Sequence, residues 1–345
     1  MNQFPLITIS GGPFERGYQH GEQLSAEIAE TIDFYRTIFE LSEAEILNQA
    51  RFFQNLIIAF DPAYMEEIKG IAQGAGVDPL WIVALNARTE ILSHKAGASH
   101  ECTSIYFSEP SILGQNWDWG RALESLTVLM KIVQPDGHQI LMLTEPGIIG
   151  KIGMNNCGLG VCLNILTLGK LLDGLPVHIV LRAILDCKSL ARVESLLAQY
   201  GAGKASNILI ADASSNGFDI EFCSENAYRL EPGSGYLLHT NHYLGSKINS
   251  AQDPYFSSSY ARFDKATRIV CDNKERSVTT MCDLLSDDSD PVLPIYREYL
   301  PDQSVHELGT ICTIVMELVK RKMHVRKGKG PQAKFSEYLL ENQET

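Results

Sequence analysis

The sequence predicts an α+β fold in which two stacked β-sheets lie between outer helical layers. Three observations carry this expectation. The first hundred residues repeat apolar side chains at three- and four-residue spacing, the period of a helix buried on one face. From Cys102 onward the chain breaks into short runs rich in β-branched and aromatic residues. Further helical and strand-like blocks then alternate to the end, and no stretch has a linker's composition, so residues 1–345 are expected to form one domain.

In chain order, Gly17 and Gly21 lie one turn apart, a spacing that lets a helix approach its neighbour closely. Leu24, Ile28, Ile32, Tyr35 and Phe39 mark the apolar face of that stretch. Ser42-Glu43-Ala44-Glu45 has the form of a capping box. Asp61-Pro62 and Asp78-Pro79 each set a capping acid before a proline suited to the first helical position, while Gly74 and Gly76 suit a helix end. Four helices are thus expected between residues 13 and 95, with Arg88 and Glu90 as surface charges.

CTSIYF, SILGQNWDW, LTVLMKIVQ and HQILMLTE read as an antiparallel meander, the last two joined by a turn at Pro135-Asp136-Gly137. The glycines and asparagines of GKIGMNNCGLGVCLNIL suit turns and bulges. Helices are expected over 176–187 and 190–200, then strands in ASNILIADA, FDIEFC and GYLLHTNHY. Helices near 257–272 and 276–286 follow, and strands in TICTIVMEL and MHVRKGKGP close the fold.

Composition narrows the function. With 45% hydrophobic and 21% charged residues this is an ordinary globular chain, and a net charge of −13 excludes a nucleic-acid surface. The one basic run, Lys320 to Lys334, reads as a solvated hairpin. No apolar run is long enough to span a bilayer and no leader precedes the first helix, so no membrane partner and a cytoplasmic location are expected. The eight cysteines are scattered through apolar settings, which predicts reduced thiols. Cys157 and Cys162 lack a second ligand pair, so neither a metal nor a cofactor is expected.

The reactive candidate is Cys102, followed by Thr103-Ser104 and then by the amide, tryptophan and carboxylate cluster GQNWDW. A cysteine at a chain terminus carries its own base, because an α-amino group titrates at about 7.7–8.0. For Cys102 that amine must first be released by breaking the Glu101-Cys102 bond. Attack of the thiol on the Glu101 carbonyl, then hydrolysis of the thioester, achieves this. Trp117 and Trp119 flank Asp118 and should face away from it on a strand, into the core. His239 and His242 read as structural. Asn155, with Gly153 and Gly158, reads as a backbone-shaping residue beside the pocket and a tentative binding residue.

These motifs together carry a resemblance. GGPFERGYQHG, ECTSIYF, GQNWDW, EPGIIGKIGMNNCGLGV, GLPVHIVLR and HTNHY are similar to the acyl-CoA:isopenicillin N acyltransferase family, which includes the insect β-alanyl-dopamine hydrolase, over residues 10 to 335. The resemblance implies a four-layer αββα N-terminal-nucleophile hydrolase, self-cleaved before Cys102 into a helical 1–101 fragment and a 102–345 fragment that stay associated. It makes Cys102 the nucleophile, Asp118 the partner that positions the new amine, and Asn241 of HTNH an oxyanion donor. Arg262 of SSYARFD resembles an arginine of related bile-salt and penicillin V amidases. The implied substrate is a small N-acyl amide or an acyl-CoA-type donor, with water or an amine as acceptor. Water is favoured, because transfer needs a dedicated amine site.

Glu101 stands where the penicillin enzyme has glycine, Cys223 where it has serine, and His306 to Thr310 lacks its Ser-Arg pair, so penicillin specificity does not follow. Two other readings remain from the residues alone. One is a conventional protease using internal Cys102 with a distant histidine, and the other a catalytically silent, unprocessed binding protein.

Overall fold

A computed structural model describes residues 3–94, 102–166, 168, 171–223, 227–245, 257–329 and 333–341. The N-terminal region holds six helices among the described residues rather than four: α1 (Pro13–Gln23), α2 (Ser25–Phe39), α3 (Glu43–Phe60), α4 (Pro62–Ala75), α5 (Pro79–Asn86) and α6 (Arg88–Ile91). The first apolar stripe is split because the buried Leu24 leaves helical geometry, at φ −125° and ψ 28°. The caps are where side-chain chemistry requires them. Glu45 accepts the Ser42 N–H at 2.8 Å, and Asp61 and Asp78 accept from Ala63 N–H and Leu80 N–H at 2.9 and 2.8 Å.

Gly17 and Gly21 of α1 meet Gly70 and Gly74 of α4 back to back. A Cβ on Gly17 would lie 2.0 Å from the Glu67 carbonyl oxygen, and one on Gly74 would lie 2.3 Å from that of Tyr18. Gly74 is therefore a contact residue inside α4, and the helix ends at Gly76, whose φ of +69° suits glycine. This close pairing also buries Glu67, which binds Arg16 at 2.8 Å and Arg182 at 2.7 Å and so ties α1 and α4 to α7 (Val177–Asp186).

An edge strand, β1 (Leu6–Ser10), precedes the helices, where the sequence suggests helix from its start; only Ile9 of it is buried. It runs parallel to β4 (Val128–Val133) in an eight-stranded sheet. The other members are β5 (Gln139–Thr144), β6 (Gly153–Asn155), β7 (Gly160–Ile165), β8 (Ser206–Ala211), β9 (Gly217–Phe222) and β10 (Ala227–Leu230). The seven-stranded sheet has the order β11 (Tyr236–His239), β2 (Thr103–Phe107), β3 (Ile112–Gly120), β13 (His306–Glu317), β14 (Lys322–Lys327), β15 (Ser336–Leu339), with β12 (Leu300–Asp302) on β13. The expected meander is thus divided. β2 and β3 pair in one sheet, β4 and β5 in the other, and a 3₁₀ turn at Arg121–Glu124 carries the chain across.

Alternation along β3 shows the layering. A Cβ on Gly114 would meet Met281 and Leu285 of α10 (Val278–Leu285), whereas its neighbour Leu113 faces Gly160 of the other sheet. α9 (Ser257–Asp272) packs beside α10 through Ala266 and Val270. α7, followed by α8 (Leu190–Gln199), covers the far side of the eight-stranded sheet, where Asn155 of β6 binds the α7 C-terminus. The molecule is therefore α+β with four layers, αββα. No helix among the described residues is long and apolar enough to cross a membrane.

Candidate active site

Strand pairing assembles the site. β2 lies between β11 and β3, with Ser104 opposite His239, so Cys102 at the head of β2 meets Asn241 just beyond β11. The main chain of Cys102 is held at both groups. Its N–H donates to Asn241 Oδ1 at 2.9 Å, and its carbonyl accepts from Arg262 Nη1 at 2.7 Å and Asn164 Nδ2 at 3.1 Å. Arg262, fully buried on α9, also donates to Thr103 Oγ1 and Asn241 Oδ1, each at 2.9 Å. Asn241 Nδ2 donates to the Ile165 carbonyl at 3.0 Å, which fixes which end of the amide faces Cys102. Asn241 and Arg262 thus grip the backbone of Cys102. Asn164 is a third member that sequence reading does not single out.

Cys102 lines a small cavity of about 30 Å³, together with Asp118. Trp117 and Trp119, 5% and 2% exposed, belong to the core as expected, and they also line this cavity. The register of β13 on β3 slips between Thr310 and Cys312, opposite Asp118 and Trp117, so the extra residue of this bulge lies on β13. Burial, reinforced by the Asp118 charge, pushes the Cys102 thiol up to about 11, so it is protonated at neutral pH in the uncut chain.

Arg88 and Glu90 are not surface charges, being 5% and 1% exposed. Arg88 lines the cavity and donates through Nη2 to Glu145 Oε1 at 2.7 Å. Lys151, also on the cavity wall, binds that same oxygen and lies 3.4 Å from the centre of the Trp117 ring. The Tyr35 hydroxyl donates to Glu145 Oε2 at 2.5 Å and accepts from Trp119 Nε1 at 3.2 Å. Burial opposes ionisation of Glu145, yet Arg88 and Lys151 hold its pKa at about 2. Burial also lowers Lys151 to about 8 despite the pull of Glu145. Sequence reading misses Glu145 and Lys151; the available signal is two charges bracketing the apolar run of EPGIIGK.

Glu90 accepts the Val177 N–H at the head of α7 at 2.8 Å, and burial pushes its pKa up to about 7. Because folding raises this pKa above its ordinary value of 4.5, the contribution is fully present below pH 4.5 and is lost as pH rises through 7. Thermal unfolding of wild type should therefore lose about 3 kcal/mol between pH 4.5 and 8 that Glu90→Gln, which keeps the acceptor, does not lose.

Asn155 is not brought to the cavity. Its amide nitrogen donates to the Leu185 and Cys187 carbonyls at 2.8 Å and its oxygen accepts from Cys157 and Leu159 N–H, which pins the β6–β7 turn to α7. His239 binds Glu221 at 2.8 Å and His242 binds Ser259 at 2.8 Å, as structural residues do. Glu101 lies outside the described residues. No group of three or more His, Cys, Asp or Glu side chains able to hold a metal occurs among the described residues.

Comparison with known proteins finds relatives of this chain. The sequence model of the family described as acyl-coenzyme A:6-aminopenicillanic acid acyl-transferase matches residues 107–331. The acyl-coenzyme A:6-aminopenicillanic-acid-acyltransferase 40 kDa form of Emericella nidulans is 32% identical over 335 residues, covering 94% of this chain and 92% of that protein. Among solved structures, a mutant of the conjugated bile acid hydrolase of Clostridium perfringens aligns with a TM-score of 0.48 and 13% identity, over 68% of this chain and 92% of that one. The penicillin V acylase of Agrobacterium tumefaciens aligns at 0.46 and 13%, over 67% and 84%. On the family match and the fungal relative, this chain belongs to the acyl-coenzyme A:6-aminopenicillanic acid acyl-transferase family.

Proposed function

We propose that this enzyme is a single-domain cysteine N-terminal-nucleophile amidohydrolase or acyltransferase that activates itself by cutting between Glu101 and Cys102. The observation that carries the reading is the grip on Cys102. Both its main-chain groups are fixed while its thiol opens on a cavity shared with Asp118. A nucleophile held this way is pre-positioned, and what it lacks is a base, since its thiol sits at about 11.

Self-cleavage supplies that base. The Cys102 sulfur attacks the Glu101 carbonyl, the C–S bond forms as the C–N bond breaks, and the proton goes to the departing nitrogen. Water then opens the thioester, leaving a carboxyl group on Glu101 and a free amine and thiol on Cys102. In turnover the amine takes the thiol proton and the thiolate attacks the acyl carbon of an N-acyl amide or acyl-CoA-type donor. The leaving amine or thiol departs with a proton, and water or an amine then resolves the acyl-thioester. Asp118 orients the new ammonium. Asn241, whose oxygen already meets the Cys102 nitrogen, keeps that contact, and its amide N–H side stabilises the oxyanion.

Intact mass and N-terminal sequencing of purified protein test this directly: two species, residues 1–101 and 102–345, with Cys102 first in the larger. An active enzyme that stays uncut would sink the proposal. Asn241→Ala should lower turnover by roughly 10²- to 10³-fold, measured by steady-state release of the amine; near-normal turnover removes Asn241 from the chemistry.

A further inference from the structure

One buried ion pair joins the two sheets beside the segment that carries Asn241. His239 ends β11 in the seven-stranded sheet, and Glu221 lies on β9 in the eight-stranded one. Both ring nitrogens of His239 face acceptors: Nδ1 lies 2.8 Å from the Thr240 carbonyl and Nε2 2.8 Å from Glu221 Oε1. A carbonyl can only accept. Glu221 takes a backbone N–H on each of its oxygens, from Leu244 at 2.6 Å and Gly245 at 2.9 Å, which suits an ionised carboxylate. His239 therefore donates at both nitrogens, as an imidazolium does. Burial opposes that charge, yet Glu221 and then Asp219, also on β9, hold the pKa above its ordinary 6.5. The other neighbours are uncharged. β2 brings Ser104 opposite His239 and β7 brings Asn164, while His242 is kept neutral by burial and by the charge of His239.

The pair reaches the site through two amides. Residues 240–245 form neither strand nor helix. Glu221 anchors this segment at His239, Leu244 and Gly245, and the Tyr243 hydroxyl donates to the Phe222 carbonyl of the same strand at 3.0 Å. Asn241 lies between these anchors, its N–H donating to Ser259 Oγ of α9 at 2.7 Å. The His239 carbonyl accepts from Asn164 Nδ2 at 3.3 Å, the nitrogen that also donates to the Cys102 carbonyl. Both amides that hold the main chain of Cys102 thus take their place from His239 or from the segment it begins.

We propose that the Glu221–His239 ion pair positions Asn241: it pins residues 239–245 to β9, so that the Asn241 amide is held where the oxyanion forms. The role given to Asn241 rests on the proposed function; the ion pair itself does not. Both are positioning residues, since each acts through Asn241. A donor held in place in advance is worth most when charge develops, so loss of the pair lowers kcat rather than raising KM.

The test is a double-mutant cycle between Glu221→Gln and Asn241→Ala, read as steady-state amine release at pH 7. Glu221→Gln should lower kcat by about tenfold, with KM changed less than about twofold. In an Asn241→Ala background the same substitution should change kcat by less than about twofold, because the amide that it positions is gone. An equal loss in both backgrounds, or a kcat for Glu221→Gln equal to that of wild type, overturns the proposal. Histidine side-chain NMR of wild type, with the His239 signals assigned by their loss in His239→Gln, needs no turnover. Both ring nitrogens should carry protons at pH 7, and a neutral ring overturns the ion pair even if Glu221→Gln fails to fold. Wild type that forms no acyl-Cys102 by intact mass fails the proposed function and leaves the pair to the NMR result. A working wild type without coupling between Glu221 and Asn241 fails the positioning role alone.

Discussion

Cys102→Ala is expected to remain a single 345-residue chain and to lose acyl turnover by roughly 10⁴-fold or more. The variant should nevertheless fold. All three groups that grip Cys102, Asn241, Asn164 and Arg262, reach its main chain and not its sulfur, so alanine keeps their hydrogen bonds. Truncation removes the sulfur and its contacts with the Asp118 backbone and the Gln115 side chain. Intact mass, melting temperature and steady-state amine release, measured together, separate chemistry from folding. An unprocessed variant with near-wild-type melting and no turnover is the expected pattern. Cleavage or normal turnover in Cys102→Ala would place the nucleophile elsewhere.

The second large effect is on stability. Glu145→Gln should cost about 3–5 kcal/mol, because it leaves Arg88 and Lys151 buried without their counter-charge. The same carboxylate gives a pH signature. Folding lowers its pKa from 4.5 to about 2, so its stabilisation is fully present above pH 4.5 and drains away as the pH falls through 2. Chemical denaturation at pH 7 and at pH 3 should show a smaller gap between wild type and Glu145→Gln at the lower pH. An unchanged midpoint at pH 7 would mean that the two cations find other partners.

Much of the frame is legible because it rests on local chemistry. Capping acids before prolines, a capping box and paired glycines are recorded in adjacent residues, and all of them sit where their geometry demands. Of the candidate site, Cys102, Asp118, Asn241 and Arg262 are singled out by motifs and the resemblance they carry, and the structure brings these four to one place. What cannot be read is non-local. Whether β3 and β4 share a sheet depends on a turn's direction, and the bulge beside Trp117 is set by β13, almost two hundred residues away. Arg88 and Glu90 look like any helical charges until α7 and Glu145 cover them. Asn155 misleads for the same reason, since its partners lie on α7.

The Arg88–Glu145 pair has one more consequence. Arg88 and Tyr35 lie before the Glu101-Cys102 bond, whereas Glu145 and Lys151 lie after it. If that bond is cut as proposed, this buried cluster becomes a contact between two polypeptides. Glu67 with Arg182, and Tyr64 with Asp186, span the same divide. Parting the pieces would strand opposite charges in apolar surroundings on each, so the mature enzyme would behave as an obligate heterodimer whose subunits never existed as independent folded molecules.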